Sequence, residues 1–295
     1  MATVFKKITI GLVILFIIFI LLSLFLYFFT RHHLDFQPEN KPMNKIVIYG
    51  DVRSGYKTHM KIAQMIYDEK PDMVMFTGDI PSNSRNYIHY LQYTIFAKKL
   101  WDNAEFYPVR GNHESTYWLY DAFFDLPNDL SYYSFDRMDM HFIVLDCWNV
   151  FEPLDEKQLK WLKEDLEKNK GKPISVAFHV PLFISGKYAP YEAPYLIELF
   201  DKYNVLFVFS AHVHSYERSL YKGTNYVVTA GGGAPLYDEN RENPYKIIRK
   251  KVHHYTVLTK ENDVYTLKAI DINGNEIDSV STSLESVLHN KGISK

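Results

Sequence analysis

The stretch VLFVFSAHVH, residues 205–214, is an apolar run that ends in a His-x-His pair. Four other stretches have the same form, an apolar run followed directly by polar residues: KIVIYGD at 45–51, MVMFTGD at 73–79, FYPVRGNHE at 106–114 and ISVAFH at 174–179. Short apolar runs bounded by glycine or polar residues predict buried strands. Segments with helical periodicity separate the runs as far as about Ser210, and this alternation predicts an α/β fold.

The polar ends of these five predicted strands indicate a metal site. In an open α/β sheet, functional groups collect beyond the carboxyl ends of the strands, so the five strands would bring their polar residues to one edge. Those residues are Asp51, Asp79, Asn112, His179, His212 and His214. Carboxylate, amide and imidazole ligands together suit Mn, Fe and Zn. We therefore interpret the pattern as a hydrolytic site for two metal ions.

In order and spacing, these signatures resemble the calcineurin-like metallophosphoesterases, on the purple acid phosphatase-like side of that family. The resemblance covers residues 44–281, which we take as the catalytic domain, and it is specific because five signatures occur in one order. It implies a four-layer α/β/β/α sandwich, in which helices flank two mixed β-sheets. It also implies a binuclear metal centre that hydrolyses phosphate esters.

The resemblance also implies a role for each metal ligand, around two divalent ions of Mn, Fe or Zn. The first ion would be held by Asp79, Asp51 and His214. The second ion would be held by Asp79, which bridges the two, with Asn112, His179 and His212. On an extended segment, side chains at i and i+2 point the same way, so the His-x-His pair can present two imidazoles to neighbouring ions.

His113 follows the ligand Asn112 directly and is our candidate for chemistry beyond the metals. From that position it can reach the phosphate or the leaving oxygen, and as a general acid it would contribute about 10²–10⁴ in rate. The alternative is a hydrogen-bonding role beside the ligand. Glu114 is expected to orient the loop or to support it.

One signature departs from the family pattern. Many relatives carry Asp-x-His where this chain has Asp51-Val-Arg53, and the tyrosine that the purple enzymes place soon after the second Gly-Asp is missing too. Arginine cannot ligate a cation, because it stays protonated. His59, on the first turn of the next predicted helix, either supplies the missing ligand or supports a ligand from beside the centre, or it lies on the surface. Arg53 either binds the substrate phosphate with its planar fork or holds the loop through a salt bridge.

The composition limits the functions that the chain can have. Of its 295 residues, 47% are apolar and 23% are charged, as in an ordinary folded protein. The net charge of −2 gives no general attraction to nucleic acid, so no nucleic-acid partner is expected. Cys147 is the one cysteine of the sequence, which excludes an internal disulfide.

Residues 1–30 are predicted to form a transmembrane anchor. Ile8 to Phe29 contains no charged residue, and as a helix it would be roughly 33 Å long, enough to cross a bilayer core of about 30 Å. The alternative, a cleaved signal peptide, would have a shorter apolar region that ends in a small-x-small site. Lys6 and Lys7 precede the span, which predicts a cytoplasmic N-terminus and a catalytic domain outside the membrane. Residues 31–43 are polar, carry two prolines and are interpreted as a linker.

Beyond His214 the pattern changes to strands, which would complete the second sheet. An Asn-Gly pair that ends at Gly274 predicts a hairpin between the last two strands. The glycine run at 231–233 lacks the ending of a phosphate-binding loop and is expected to form a turn near the mouth of the site. Residues 282–295 lack clear periodicity and are expected to be a loose tail.

We therefore interpret the chain as a membrane-anchored, metal-dependent phosphoesterase on the outer side of the cytoplasmic membrane. Its expected partners are a phosphate-ester substrate, either a monoester or a diester, and the membrane itself. The alternative is a non-catalytic, metal-binding envelope protein that keeps the same scaffold. The departure at Arg53 favours that alternative, while the intact ligand set opposes it. The sequence leaves the oligomeric state open.

Overall fold

The computed structural model describes residues 2–30, 32–33, 43–126, 130–147, 149, 154–188 and 190–290. Within these ranges the helices are α1 (Ala2–Thr30), α2 (Tyr56–Asp68), α3 (Tyr87–Trp101), α4 (Tyr117–Phe123), α5 (Glu156–Lys168), α6 (Pro194–Lys202) and α7 (Leu284–Asn290), with a 3₁₀ turn at Asn112–Glu114. The strands are β1 (His32–His33), β2 (Lys45–Tyr49), β3 (Met73–Phe76), β4 (Glu105–Pro108), β5 (Phe124–Asp125), β6 (Tyr133–Arg137), β7 (Met140–Val144), β8 (Ile174–Ala177), β9 (Phe207–Ser210), β10 (Tyr216–Tyr221), β11 (Thr224–Thr229), β12 (Lys246–Lys250), β13 (His254–Glu261), β14 (Val264–Asp271) and β15 (Glu276–Thr282). Helices separate the strands from β2 to β9 except in the run β5-β6-β7, and strands then follow as far as β15, which is close to the order that the sequence predicts.

The first sheet has six strands in the order β15-β14-β13-β2-β3-β4. β2, β3 and β4 are parallel, whereas β13, β14 and β15 run antiparallel to their neighbours. All four residues of β3 are buried, because strands that are covered on both faces are apolar throughout. The predicted hairpin joins β14 to β15 through Gly274, whose φ of +84° suits glycine.

The second sheet has seven strands in the order β12-β10-β11-β9-β8-β7-β6. Its central strands β7, β8, β9 and β11 are parallel. β6 at one edge, and β10 and β12 at the other, pair antiparallel with their neighbours. Both sheets are therefore mixed, as the resemblance implies.

The two sheets pack against each other and are covered by helices on their outer faces. Between the sheets, the ring of Tyr107 on β4 stacks on Phe135 of β6 with centroids 3.9 Å apart. Helix α3 packs on the first sheet through Tyr93, whose ring lies 4.9 Å from that of Phe76. Helices α5 and α6 share a separate apolar cluster with the second sheet, in which Leu162 is fully buried. These contacts confirm the four-layer α/β/β/α sandwich.

The N-terminal region differs from the sandwich in its exposure. The large apolar side chains described in α1 range from 40% exposed at Ile20 to 73% at Phe28. Among the described residues, no helix reaches both the length and the hydropathy that crossing a membrane demands. That finding does not support the predicted anchor, which stays a prediction. Most of the predicted linker, residues 34–42, lies outside the described residues.

The C-terminal segment is more ordered than a loose tail. Helix α7 begins after Ser283, whose hydroxyl accepts a hydrogen bond from the main-chain N–H of Ser286 at 3.1 Å. Val287 is fully buried against Gly223. The expectation of a loose tail therefore does not hold for residues 284–290, because one apolar side chain fixes a short helix to the sandwich.

Candidate metal centre

Loops from both sheets bring the predicted ligands together. β2, β3 and β4 of the first sheet lead into Asp51, Asp79 and the 3₁₀ turn at 112–114, while β8 and β9 of the second sheet lead into His179 and the 212–214 segment. Asp51, Asp79 and His179 are buried, and each offers a ligand atom within 4.8 Å of the other two. The centre thus lies at an edge that the two sheets share, beyond the carboxyl ends of parallel strands.

Three predicted ligands have a left-handed backbone. The φ angle is +57° at Asp51, +66° at Asp79 and +66° at His212, where a non-glycine residue costs of order 1–3 kcal/mol. Main-chain hydrogen bonds stabilise these conformations: Asp51 N donates to the Gly78 carbonyl at 2.9 Å, and His212 N donates to the Asp51 carboxylate at 3.0 Å. The strained turns aim all three side chains into one space.

Glycine is required where two of these loops meet. A Cβ on Gly111 would lie 2.5 Å from Asp79 Oδ1. Gly78 has a φ of +97°, and a Cβ there would lie 2.8 Å from the main-chain nitrogen of Gly111. The glycines that precede the acidic and amide ligands therefore let the two loops approach closely.

Asn112, His179 and His212 form one side of the centre, which we call the second half-site. His179 Nδ1 donates to the Thr77 carbonyl at 2.8 Å, so in the neutral ring Nε2 carries a lone pair. That Nε2 lies 3.1 Å from Asn112 Oδ1 and 3.4 Å from Asp79 Oδ1. The same Asn112 oxygen lies 2.8 Å from His212 Nδ1. Ligand atoms at about 2.0–2.2 Å from one ion are themselves roughly 3 Å apart, so these residues fit a cation.

Asp51 and His214 form the other side, which we call the first half-site. His214 Nδ1 donates to the Pro235 carbonyl at 2.6 Å, and its Nε2 lies 3.1 Å from Asp51 Oδ1. Within the described part of the chain, this Asp51 oxygen is buried and accepts no hydrogen bond. A buried carboxylate oxygen needs a positive partner, so this half-site also fits a cation.

Arg53 supplies positive charge to the first half-site. Its Nε lies 3.3 Å from Asp79 Oδ2, and its Nη2 lies 3.4 Å from His214 Nε2. Nη2 also donates to the hydroxyl of Tyr237 at 3.1 Å. Of the two roles predicted for Arg53, the salt bridge is present in the structure, while phosphate binding stays a prediction.

His113 lies beside the shared ligand with a side chain that is 21% exposed. Its Nδ1 donates to the Ser82 carbonyl at 2.9 Å, and its Nε2 lies 3.7 Å from Asp79 Oδ2. Its main-chain N–H donates to Asp79 Oδ1 at 3.0 Å. Nε2 is therefore directed toward the centre, as a general acid requires.

Glu114 holds the two acidic loops together. Its carboxylate accepts main-chain N–H groups of Gly111 at 2.8 Å, Asp79 at 3.0 Å and Ile80 at 2.6 Å. Burial, and next the charge of Asp79, raise the pKa of Glu114 to about 7. These contacts match the supporting role that the sequence predicts for this residue.

The charge states of His212 and Asp51 suit cation binding, whereas at His179 burial is outweighed by the charges of Asp79 and Asp51, which raise the pKa of that ring. Burial, with the charge of His179 adding to it, lowers the pKa of His212 to about 3, so its ring is neutral. Burial alone would raise the pKa of Asp51, but the close contact with His214 and the charge of that ring outweigh it and bring the pKa below its ordinary value. Neutral imidazole and ionised carboxylate are the states that bind a metal.

His59 does not join the centre. Its ring is buried, lies 5.2 Å from that of Tyr93, and has Nε2 3.3 Å from the Tyr49 hydroxyl. Burial lowers the pKa of His59 to about 3. The structure therefore supports neither the ligand role nor the surface position that we predicted, because α2 turns this side chain into a stack of core rings.

Two tyrosines at the centre were not identified from the sequence. The ring of Tyr237 stacks on His214 with centroids 4.2 Å apart. The ring of Tyr188 lies 5.0 Å from that of His212 and 5.5 Å from Tyr237. Neither tyrosine belongs to a signature, so no local spacing could have revealed them.

The glycine run at 231–233 forms a turn near the centre, as the sequence predicts. It packs against the loop that follows β2 and carries Asp51. Gly232 N donates to the Gly50 carbonyl at 2.8 Å, and Ala234 N donates to the Asp51 carbonyl at 2.8 Å. This turn carries the chain from β11 to Pro235 and Tyr237. The glycine run was therefore the sequence signal that pointed to the side of the centre where Pro235 and Tyr237 contact His214.

An α/β/β/α sandwich with a buried cluster of carboxylates and imidazoles at its edge is the architecture of a metallohydrolase. Residues 44–216 match the calcineurin-like phosphoesterase family, and the chain belongs to that family. The family assignment confirms the resemblance that the five signatures indicated. Phosphoester hydrolysis is the reaction after which the family is named.

The chain is 26% identical to purple acid phosphatase 15 of Arabidopsis thaliana in an alignment 256 residues long, which covers 68% of this chain and 48% of that protein. The chain thus spans about half the length of this relative. Purple acid phosphatase PPD1 of yellow lupin has a TM-score of 0.72 at 20% identity, over 85% of this chain and 56% of that one. GAP50, described as the anchor in the inner membrane complex of Plasmodium, has a TM-score of 0.70 at 16% identity, over 86% of this chain and 95% of that one. The two solved structures show the fold alone.

Proposed function

We propose that this protein is a metal-dependent hydrolase of phosphate esters. The observation that carries the proposal is the second half-site, where imidazole and amide ligand atoms and the Asp79 carboxylate face one another at 2.8 to 3.4 Å. Such a set fits one divalent ion. Membership of the phosphoesterase family supports a phosphate ester as the substrate class. Whether a second ion completes a binuclear centre depends on Arg53.

The residues around the half-sites have distinct roles in this reaction. A bound divalent ion would lower the pKa of water and neutralise charge on the phosphoryl group. His113 would donate a proton from Nε2 to the leaving oxygen when its ring is protonated, because the Ser82 carbonyl holds Nδ1. Burial lowers the pKa of His113, so this acid role would weaken as pH rises. Among the described residues, Arg53 Nη1 makes no hydrogen bond, and it would hold a phosphoryl oxygen.

Hydrolysis of a chromogenic phosphate monoester and diester by the full chain tests the proposal. The assays would contain Mn, Fe, Zn, Co or Mg, and their relative rates would establish the ester preference. We expect metal-dependent turnover that His212→Ala abolishes. His289→Ala is the matched control, because His289 is exposed on α7, and it should retain the wild-type rate. If no metal raises turnover above the His212→Ala background, the proposal is wrong.

A non-catalytic metal-binding protein on the same scaffold is the second candidate. The observation that favours it is Arg53, which contacts both Asp79 and His214 where relatives carry a metal-binding histidine. Metal binding would not separate the two candidates, but turnover would. A chain that binds metal through His212 and hydrolyses neither ester would favour this second candidate.

We also propose that the N-terminal helix holds the domain at a membrane, with the domain on the outer side. The exposed apolar side chains of α1 support this, as does the absence of charge between Ile8 and Phe29. The full chain should remain in the membrane pellet after alkaline carbonate extraction. Protease added to intact cells should cleave the domain. Release of the full chain into the supernatant would contradict the proposal.

A further inference from the structure

The guanidinium of Arg53 lies among the atoms that were expected to hold the first ion. It is 3.3 Å from Asp79 Oδ2 and 3.4 Å from His214 Nε2. The Tyr237 hydroxyl accepts from the same guanidinium, and the Tyr237 ring stacks on His214. The guanidinium is thus held by an acidic loop, a ligand imidazole and a stacked tyrosine, rather than extended into solvent.

The second half-site has no such cation. Within the described residues, no lysine or arginine forms a hydrogen bond or ion pair with Asn112, His179 or His212. Their ligand atoms face each other and Asp79 with nothing positive between them. A metal ion would therefore satisfy the second half-site, whereas the first half-site already contains a positive group.

The charges at the centre also oppose two ions together with Arg53. Asp51 and Asp79 are the carboxylates of the predicted ligand set, and Arg53 stays protonated under all ordinary conditions. A guanidinium and one divalent ion already exceed the charge of two carboxylates. A second divalent ion would have to bind within a few ångströms of a fixed positive charge, where Coulomb repulsion is strong.

We propose that Arg53 replaces the first metal ion, so that each chain binds one divalent ion, in the second half-site. Asp51 and His214 then position Arg53 instead of ligating metal. In the reaction, which rests on the proposed function, Arg53 supplies to the phosphoryl group the positive charge that a first ion would provide. The binuclear centre implied by the resemblance becomes a centre of one ion and one guanidinium.

Counting metal ions in the full chain tests this proposal without any need for turnover. The purified chain would be saturated with Mn or Zn, freed of loosely bound metal and analysed by elemental analysis and native mass spectrometry. We expect one ion per chain in the wild type and none in His212→Ala. Arg53→His restores the family's Asp-x-His signature, removes the guanidinium, and should bind two ions.

Three further variants separate the role of Arg53 from general effects. Arg85→His makes the same change at an exposed arginine and should bind one ion. Asp51→Asn alters the first half-site and should also keep one ion. Arg53→Ala, with its fold checked by circular dichroism, should gain a second ion of lower affinity, and it replaces Arg53→His if that variant fails to fold.

Two results would overturn the proposal: two ions in the wild type, or one ion in both folded Arg53 variants. Ester hydrolysis measured on the same samples reports separately on the proposed function. A wild type with one ion and no turnover would contradict the function but leave the replacement by Arg53 intact. A wild type with two ions and rapid turnover would contradict the replacement by Arg53 and support the proposed function.

Discussion

His141 and His179 are buried histidines at opposite ends of the second sheet, and their surroundings differ in one decisive respect. His141, near the start of β7, has Nδ1 2.6 Å from Asp136 Oδ1 and Nε2 2.7 Å from Asp165 Oδ2. Burial opposes the charge on this ring, but the hydrogen bonds to Asp165 and Asp136 outweigh it and raise the pKa of His141. Each nitrogen has its own carboxylate, so protons alone satisfy the cluster.

His179, beyond the end of β8, has no carboxylate among the described residues this close to either of its ring nitrogens. Its Nε2 is shared by two oxygens, those of Asn112 at 3.1 Å and Asp79 at 3.4 Å. These distances match the spacing of ligands around an ion better than that of charge-assisted hydrogen bonds, which are about 2.7–2.9 Å. The comparison separates His141, whose short contacts protons satisfy, from His179, whose longer, shared contacts favour its predicted role as a metal ligand.

Asp79→Asn should have the largest effect, because Asp79 lies at the metal centre, where the two sheets share an edge. We expect the rate of ester hydrolysis to fall about 10⁴-fold, because several kcal/mol of charge stabilisation depend on the ion that Asp79 helps to hold. The thermal midpoint of the metal-free chain should not fall, since the charge of Asp79 also acts on buried Glu114. Steady-state kinetics and thermal melts measure both. A variant that stays active would show that Asp79 is not a ligand.

His113→Ala should lower the rate by about 10³-fold, within the range of general acid catalysis. The metal content should not change, because His113 is not a predicted ligand. This separates His113 from His212, whose loss should remove the ion as well. Loss of metal in His113→Ala would contradict the assignment of a proton-transfer role.

Asp165→Asn makes the same chemical change as Asp79→Asn, but at the structural end of the sheet. It removes a charged partner of His141, and loss of a buried hydrogen bond of this kind costs about 1–3 kcal/mol. The thermal midpoint should drop by a few degrees for each kcal/mol, while the rate stays within about twofold of wild type. A large loss of activity with unchanged stability would contradict the contrast between the two ends.

The smallest effect concerns pH. Because the folded pKa of His141 is raised, its stabilisation is fully present below the ordinary histidine pKa of about 6.5 and is lost as pH rises through the folded value. The difference in unfolding free energy between wild type and His141→Gln should therefore shrink as pH rises from below about 6.5 through the folded pKa.

Denaturant titrations at several pH values measure this difference. Asp136, Asp165 and Asn169 contact His141, and Lys172 contacts Asp136, so in the described part of the chain no other histidine belongs to this cluster. His289→Gln, at an exposed position, is the control and should show little dependence on pH. A stabilisation by His141 that grows with pH would contradict the prediction.

Most of the centre could be predicted from the sequence because its signals are local. An apolar run followed by Gly-Asp predicts both a buried strand and a ligand at its end, as for Asp51 and Asp79. The hairpin at Gly274 depends in the same way on neighbouring residues. By contrast, His59 was misplaced, because the face that α2 turns inward depends on rings from distant elements, Tyr49 and Tyr93.

The sequence by itself determined the family, the α/β order and the candidate ligands, since each depends on a short run of residues and on the order of such runs. Only the tertiary structure decided how these ligands share charge. It brought Arg53 between Asp79 and His214, and it placed Tyr237 on the His214 ring. Such contacts join residues more than twenty positions apart, and in some cases more than 150. They exist only because two sheets meet at one edge, which no local pattern encodes.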